Sequence, residues 1–154
     1  MAKRDPYELA LRALSGKERT EAELGEWLRD QGVGEADRIE VLTRLIEAGV
    51  IDDERFALRY AEDKRSLAGW GPDRIREALA ARGVGEEHVE AGLASEGEEQ
   101  LVERAAGLLR ERGMRCDSER ERDRALHMLA RRGYPLEIGY EAVRIADRGG
   151  AEAA

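Results

Sequence analysis

A short signature recurs three times along the chain and constrains its fold more than any other feature. A leucine is followed four positions later by glycine, and an apolar residue comes directly after that glycine, in the segments WLRDQGV, ALAARGV and MLARRGY. The leucines are Leu28, Leu79 and Leu129, so the signature returns after 51 and then 50 residues. Self-similarity at such a period is typical of stacked helical units that bury their apolar faces against one another. The sequence therefore predicts an elongated array of three tandem repeats.

The spacing of apolar residues predicts helices throughout the chain, with no strand-like alternation. Thr20 and Glu23 have the form of a capping box, in which two side chains satisfy the orphan backbone donors at a helix start. Leu24, Trp27 and Leu28 then follow at the spacing of an amphipathic helix. Charged residues make up 39% of the chain and aromatic residues 5%, which also favours helices. We predict an all-α fold of about nine short helices, at 6–15, 20–31, 36–48, 53–67, 72–82, 86–94, 98–112, 118–132 and 135–147.

Three helices per repeat account for the whole chain. We predict three-helix repeats at 1–50, 51–95 and 96–154, the last with a short C-terminal tail beyond the ninth helix. The link Ser95-Glu96-Gly97 is short, small and polar, which predicts a flexible joint between the second and third repeats. We expect the array to be a monomer.

The run Asp52-Asp53-Glu54 has two interpretations. It can cap the fourth helix, because aspartate is a preferred N-cap and acidic residues suit the positive end of the helix dipole. It can instead supply a carboxylate pair for catalysis, which requires partners converging from elsewhere. We find no spacing that supplies such partners, and no motif for a phosphate loop, a nucleophile elbow or a metal-binding helix. The sequence favours capping, and predicts a protein that is not an enzyme and needs no metal or other cofactor.

Cysteine usage and hydropathy bear on where the protein acts. The single cysteine, Cys116, cannot form an intramolecular disulfide. One cysteine and two histidines are also too few soft ligands for a zinc site. Nearby arginines can lower the pKa of its thiol, although a thiol without a role is the favoured interpretation. No apolar run approaches the roughly 20 residues of a membrane helix, and the N-terminus lacks the apolar stretch of a secretory signal. We expect a cytoplasmic protein with no membrane partner.

Charge is distributed unevenly along the chain. The net charge of −8 argues against tight independent binding to nucleic acid, because such affinity comes largely from Lys and Arg contacts to phosphates. Residues 1–50 carry 8 basic and 11 acidic side chains, residues 51–100 carry 7 and 13, and residues 101–154 carry 11 and 10. Only the last third leans basic.

One basic cluster in the last third of the chain is a candidate binding surface rather than a feature of the fold. In the predicted eighth helix, four side chains spaced by four, three and four positions are Arg120, Arg124, His127 and Arg131. At about 100° per residue they occupy a wedge roughly 60° wide, largely opposite the apolar side of the helix. Arg132 lies to one side. Such a stripe can track a phosphate backbone or an acidic protein groove, and it can equally be an ordinary solvated face.

Several motifs resemble the RecX family of recombinase regulators. The segment GVIDDERFA at 49–57 is followed by Tyr60, by GPDRIR at 71–76 and by RGV at 82–84. The first repeat and the segment RALHMLARRGYPLEIGYEAV of the third are also similar to the family, so the likeness covers roughly residues 8–147. One departure is Ala78, where the family usually has glutamate.

The resemblance implies a small bacterial protein of tandem three-helix repeats that binds the RecA recombinase and its nucleoprotein filament. Family members typically inhibit RecA's ATPase and strand-exchange activities and limit filament growth, without being enzymes. We therefore predict a negative regulator that lies along the filament groove, with weak or indirect nucleic-acid binding. The candidate contacts are Arg120, Arg124, Arg131 and Arg132 in the eighth helix, with Lys64, Arg65, Arg74 and Arg82 as second choices.

Two other classes of function fit parts of the sequence. A helix-turn-helix-like DNA-binding regulator, acting without a recombinase, would insert the basic third repeat into a groove. Its mark would be a strongly salt-dependent, sequence-specific affinity for naked duplex, which the overall acidity disfavours. An enzyme using Asp52, Asp53 and Glu54 is the third interpretation, which turnover dependent on Asp53 would support.

Overall fold

The computed structural model describes residues 4–153, with side chains through residue 148. This part of the chain contains nine α-helices and no strand, which confirms the predicted all-α fold. None of the helices described has the length and apolar character needed to cross a membrane. The helices are α1 (Pro6–Gly16), α2 (Glu21–Asp30), α3 (Glu35–Glu47), α4 (Asp53–Ala68), α5 (Pro72–Ala81), α6 (Glu86–Leu93), α7 (Glu98–Glu111), α8 (Glu119–Arg131) and α9 (Leu136–Ala153).

The last helix is longer than the sequence pattern predicts. α9 continues to Ala153, so most of the predicted C-terminal tail beyond residue 147 is helical, and Ala154 lies outside the described residues. Gly149 and Gly150 each cost about 1 kcal/mol relative to alanine in a helix, but they block no backbone hydrogen bond. Two glycines therefore weaken this helix without forcing it to end.

The recurring signature is a helix-terminating motif. Its glycine has a positive φ in each copy, of 84° at Gly32, 79° at Gly83 and 93° at Gly133. The amide of the next residue then donates a hydrogen bond to the carbonyl oxygen of the signature leucine, over 3.0, 3.1 and 3.0 Å respectively. This bond defines the Schellman motif, in which a left-handed glycine ends the helix. The three leucines are fully buried, so one signature sets both the end of each helix and the side that faces the core.

Three separate clusters of buried side chains form the core, one from each group of three helices. The first is built from α1–α3, the second from α4–α6 and the third from α7–α9. Ile51 packs with the first cluster, although the predicted division places it in the second repeat. The division at residues 50 and 95 itself stays a prediction. The accessible surface is 9880 Å², above the roughly 7,800 Å² expected for a compact monomer of this mass, as an extended array requires.

The helix α3 buries a narrower face than its apolar pattern predicts. Ile39, Leu42, Leu45 and Ile46 share one side by spacing, yet only Leu45 is fully buried, while Ile39 is 59% and Ile46 42% exposed. The helix packs against α1 and α2. These two neighbours cover only part of the apolar stripe. The sequence determines how wide the stripe is, but not how much of it is covered.

The first and second groups of helices meet where α5 ends beside the start of α2. The Thr20 hydroxyl donates to the carbonyl oxygen of Arg82 over 2.7 Å, and the Arg82 guanidinium pairs with Glu23 at 2.9 Å. The Asp53 carboxylate accepts a hydrogen bond from the backbone amide of Glu21 at 3.1 Å. Side chains therefore supply most of the polar contacts in this joint.

The second and third groups of helices meet partly through the main chain. The amide of Gly71 donates to the carbonyl oxygen of Arg132 over 2.7 Å, and that of Asp73 donates to Gly133 over 2.9 Å. A Cβ atom at Gly71 would lie 2.5 Å from backbone atoms of Gly133. Only glycine permits such a close approach of two backbones.

The link at residues 95–97 is not the flexible joint that its composition predicts. The Glu96 carboxylate accepts two hydrogen bonds from Arg104, at 2.7 and 3.0 Å, and lies 3.3 Å from the Nε of Arg65. Arg65 also donates to the Ser95 hydroxyl at 2.7 Å. The side chains of Glu96 and Arg65 are each 10% exposed. The link is therefore held by shielded ion pairs to Arg104 in the next helix and to Arg65, which lies 31 positions before Glu96, and its small size and polarity do not reveal them.

Candidate functional site

The predicted basic stripe of α8 lies on the exposed side of that helix, away from the buried Ala125 and Leu129. Its four members are exposed: Arg120, Arg124, His127 and Arg131. Within residues 4–148, no hydrogen bond or ion pair recorded in the structure involves one of these four side chains. The three arginines of the stripe thus face solvent without an ion-paired carboxylate among the described residues. Its role as a contact surface stays a prediction.

Three of the other candidate arginines hold the array together. Arg82 pairs with Glu23, and that hydrogen-bonded carboxylate raises the pKa of the Arg82 guanidinium. Arg65 is paired with Glu96, and burial lowers its pKa, although a guanidinium stays charged in proteins. Arg132 donates to the carbonyl oxygen of Ala68 at 2.7 Å across the second joint. We expect these three residues to position the units rather than contact a partner.

The remaining two candidates, Lys64 and Arg74, flank one tryptophan. The Nζ of Lys64 lies 4.6 Å from the centroid of the Trp70 ring, and the guanidinium carbon of Arg74 lies 4.2 Å from it. Both distances fit cation–π contacts, which hold a charged group over an aromatic face. Trp70 itself is partly buried against the second core cluster. The segment before Pro72 is a turn between α4 and α5 that carries an aromatic ring flanked by two cations.

A cavity of about 570 Å³ opens beside this tryptophan at the second joint, and we call it the joint groove. It brings residues of the second group of helices together with residues of α8 and of the turn after α7. Among the described residues, no carboxylate lines the groove. Its lining consists of Leu67, Ala68, Trp70, Arg74, Arg112, Met128, Arg131 and Arg132. The structure thus joins two candidates that the sequence analysis treats separately, Arg74 and Arg131, in one basic surface.

Arg112 is the residue of this surface that sequence reasoning missed. It caps the C-terminal end of α7 and lines the joint groove and two neighbouring cavities, of about 700 and 350 Å³. Arg112 lies 42 positions from Trp70 and outside the α8 stripe, so no local pattern links it to either. Its only local signal is its place in the one third of the chain that leans basic.

A larger cavity next to the joint groove is also rich in arginine, but apart from Arg112, which lines both, its arginines are engaged. Arg65 and Arg104 share Glu96, and Arg110 pairs with Glu103 at 3.3 Å. This cavity of about 700 Å³ also includes the carboxylate of Glu111 in its lining. The uncompensated positive charge of the second joint therefore concentrates in the joint groove.

The two aspartates after Ile51 have separate structural roles. Asp52 is the N-cap of α4 and accepts a hydrogen bond from the amide of Arg55 at 3.0 Å, as the capping interpretation predicts. The Asp53 carboxylate instead binds the amide of Glu21, so it serves the start of α2 rather than its own helix. Among the described residues, no group of three or more histidine, cysteine, aspartate or glutamate side chains is placed to hold a metal ion.

Cys116 is 3% exposed and its surroundings oppose ionisation. Burial raises the pKa of the thiol, and the carboxylates of Asp147 and Asp117 raise it further. The predicted influence of nearby arginines is therefore outweighed, and the favoured interpretation of a thiol without a reactive role agrees with this environment.

We expect Cys116 to react with a disulfide reagent at least about tenfold more slowly in the native protein than in urea, because the thiolate is the reactive form. A raised pKa means that the native rate should keep increasing above pH 9, where an ordinary thiol is already mostly ionised. Absorbance of the released thiolate, followed from pH 7 to 10, measures this rate. Equal rates in the native and unfolded chains would contradict the buried placement.

Comparison with known proteins assigns the first two groups of helices to the domains of one family. Residues 7–45 match the family domain described as "RecX, first three-helix domain", and residues 52–93 match "RecX, second three-helix domain". The chain is 35% identical over 144 residues to Regulatory protein RecX of Mycolicibacterium smegmatis, covering 89% of this chain and 77% of that protein. It is 34% identical over 142 residues to Regulatory protein RecX of Mycobacterium marinum, covering 88% and 80% respectively.

Two solved structures extend the likeness to the arrangement of the helices. The crystal structure of RecX from Lactobacillus salivarius superposes with a TM-score of 0.82 at 24% identity, covering 92% of this chain and 94% of that one. A crystal structure of regulatory protein RecX gives a TM-score of 0.74 at 25% identity, covering 90% of this chain and 70% of that one. The similarity therefore includes the third group of helices, which contains the α8 stripe.

Proposed function

Because the chain belongs to the RecX family of regulatory proteins, we propose that it is a negative regulator of the RecA recombinase. It binds RecA as a cytoplasmic monomer and lies along the groove of the RecA–DNA filament. There it inhibits ATP hydrolysis, strand exchange and filament extension without catalysing a reaction of its own. Membership of the family supports a regulatory role, and the charge and architecture of the chain support the mode of binding.

The observation that carries this proposal is the exposed basic stripe of α8. Arg120, Arg124 and Arg131 have no carboxylate partner in the described part of the chain, so their charges are available to an acidic groove or to phosphates. The stripe is rigidly presented, because the other side of α8 is anchored in the third core cluster. Fixed cations of this kind favour recognition of an extended acidic surface.

The array itself supports a multivalent mode of binding. Two tight joints hold three small units in one chain, so a second unit meets its own site at a high effective concentration once the first has bound. Linked weak contacts to successive subunits would then resist the rearrangement and exchange of those subunits. This mechanism needs no tight contact at any single unit.

We expect the protein to inhibit single-strand-dependent ATP hydrolysis by its cognate RecA at substoichiometric ratios. Changing Arg120, Arg124 and Arg131 together to glutamate should raise the concentration for half-inhibition by about 100-fold or more, since lost and reversed contacts each cost about 1 kcal/mol or more. Steady-state ATPase assays measure the inhibition, and electron microscopy measures filament length in parallel.

The matched control carries the same change in charge at a distant surface. Arg12, Lys17 and Arg29 are exposed residues of the first group of helices, and their triple change to glutamate should leave inhibition nearly intact. Equal loss in both triple variants would assign the effect to net charge and reject the stripe. A folded wild-type protein that alters neither hydrolysis nor filament length would contradict the regulatory proposal and favour the DNA-binding regulator.

A further inference from the structure

We infer that the joint groove is a binding site for a single nucleic-acid strand, held through its phosphates and stacked through its bases. The inference goes beyond regulation of a recombinase, because it assigns a ligand to the chain alone. It concerns the surface between the second and third groups of helices, centred on Trp70, Arg74, Arg112 and Arg131.

The charge of the groove is the first argument. Arg74, Arg112 and Arg131 line it without any lining carboxylate, and none of the three takes part in an ion pair within residues 4–148. Like charges brought together in this way repel one another, so the cluster is stabilised when an anion binds. Arg132 also lines the groove, but its Nη1 is occupied by the carbonyl oxygen of Ala68. Three of the four arginines are thus available.

The contact between Arg74 and Trp70 is the second argument. Its guanidinium carbon lies 4.2 Å from the centroid of the indole ring, within the range of a cation–π contact. A guanidinium held beside an aromatic ring has N–H groups that can form paired hydrogen bonds to phosphate oxygens. Trp70 therefore restricts the orientation of a phosphate-binding fork before the ligand arrives.

The apolar surface at the rim of the groove distinguishes a single strand from other anionic ligands. Leu67 is 84% exposed at this rim, next to the partly buried Trp70. Single strands offer unstacked bases that pack on aromatic rings and guanidinium planes, alternating with phosphates. In a duplex the base faces are stacked inside, and an acidic peptide has carboxylates without planar rings. A single strand is thus the ligand that uses both the cationic and the apolar parts of the groove.

The path of the strand beyond the groove is set by Arg112. This residue also lines a second cavity of about 350 Å³, together with Arg115 and Arg124. That cavity contains one carboxylate, Glu121, which accepts a hydrogen bond from the Ser118 hydroxyl. A strand leaving the joint groove past Arg112 therefore meets further cations at the start of α8.

Trp70 fluorescence provides a direct test of this site in the free protein. The chain has two tryptophans, so Trp27→Phe leaves Trp70 as the single reporter. We expect a dT 30-mer to quench this fluorescence. In the same background, the double variant Arg112→Gln and Arg131→Gln should weaken binding of the oligonucleotide by about tenfold or more. It should also reduce the slope of log affinity against log salt by about 1.4, the value for two lost contacts to a single strand.

A matched double variant, Arg12→Gln and Arg29→Gln, removes the same charge from the first group of helices and should bind within about twofold of the parent. Equal weakening by the two double variants would overturn the site. Three competitors identify the ligand class: a dT 30-mer, a DNA duplex and poly-glutamate. Tighter binding of the duplex or of poly-glutamate would overturn the assignment to a single strand.

A fourth probe separates stacking from charge. An abasic oligonucleotide of the same length retains the phosphates, and we expect it to bind about tenfold more weakly and to quench Trp70 less, because base stacking is lost. Equal affinity and equal quenching by the abasic strand would overturn the stacking part of the inference. No recombinase is present in these titrations, so their outcome is independent of inhibition of ATP hydrolysis.

Discussion

Replacing Gly133 with alanine is expected to lower the free energy of unfolding by about 3 kcal/mol or more. Two costs combine at this position. Its φ of +93° is unfavourable for any residue with a Cβ atom. A Cβ there would also lie 2.4 Å from the Cβ of Arg74 and 2.5 Å from its backbone nitrogen, so the second joint has to open. Urea denaturation followed by circular dichroism measures the loss.

Two other glycines separate these costs. Gly113 has a φ of +61° with open space around it, so Gly113→Ala should cost only the backbone strain, about 1–2 kcal/mol. Gly71 has a φ of −81° but the same tight joint, so Gly71→Ala should cost only the steric overlap, about 1–3 kcal/mol. If Gly133→Ala and Gly113→Ala were equally destabilising, the close packing of the second joint would be wrong.

Replacing Glu96 with alanine is the other change with a large expected effect, about 3–5 kcal/mol. The carboxylate of Glu96 is shared by Arg65 and Arg104, whose side chains are 10% and 22% exposed. Its removal leaves two poorly solvated guanidinium groups close to each other without a counter-charge. The loss should appear in urea denaturation, and amide hydrogen exchange should speed up in α6 and at the start of α7.

Glu103 provides the matched control for Glu96. It pairs with Arg110 at 3.3 Å, but the two side chains are 66% and 55% exposed. Exposed ion pairs contribute little, so Glu103→Ala should change the stability by about 0.5 kcal/mol or less. A similar small effect of both substitutions would show that the 95–97 link is not fastened by its ion pairs.

The helices and their ends could be predicted because their determinants are local. The capping box at Thr20 and the glycine-terminated signature each act within six residues, and both are present as predicted. The all-α class and the three-group array follow from the same short-range patterns. The exposure of Ile39 shows the limit of such patterns, because the spacing of apolar residues does not determine how much of the stripe a neighbouring helix covers.

The roles of the basic residues could be predicted only in part. The α8 stripe follows from spacing along one helix, and its exposure is confirmed. The roles of Arg82 and Arg65 depend on partners 59 and 31 positions away, Glu23 and Glu96, and nothing in the local sequence distinguishes them from free surface cations. The groove beside Trp70 likewise exists only after α5, α7 and α8 have been brought together.

The two joints of the array engage corresponding positions of their repeats. In the first, Thr20 donates to the carbonyl oxygen of Arg82, and in the second, Gly71 donates to that of Arg132. Each acceptor is the residue before a signature glycine, and the donors are 51 residues apart while the acceptors are 50 apart. The spacing between successive groups of helices is thus set by hydrogen bonds at helix ends. Exposed side chains between these ends can change without altering that spacing.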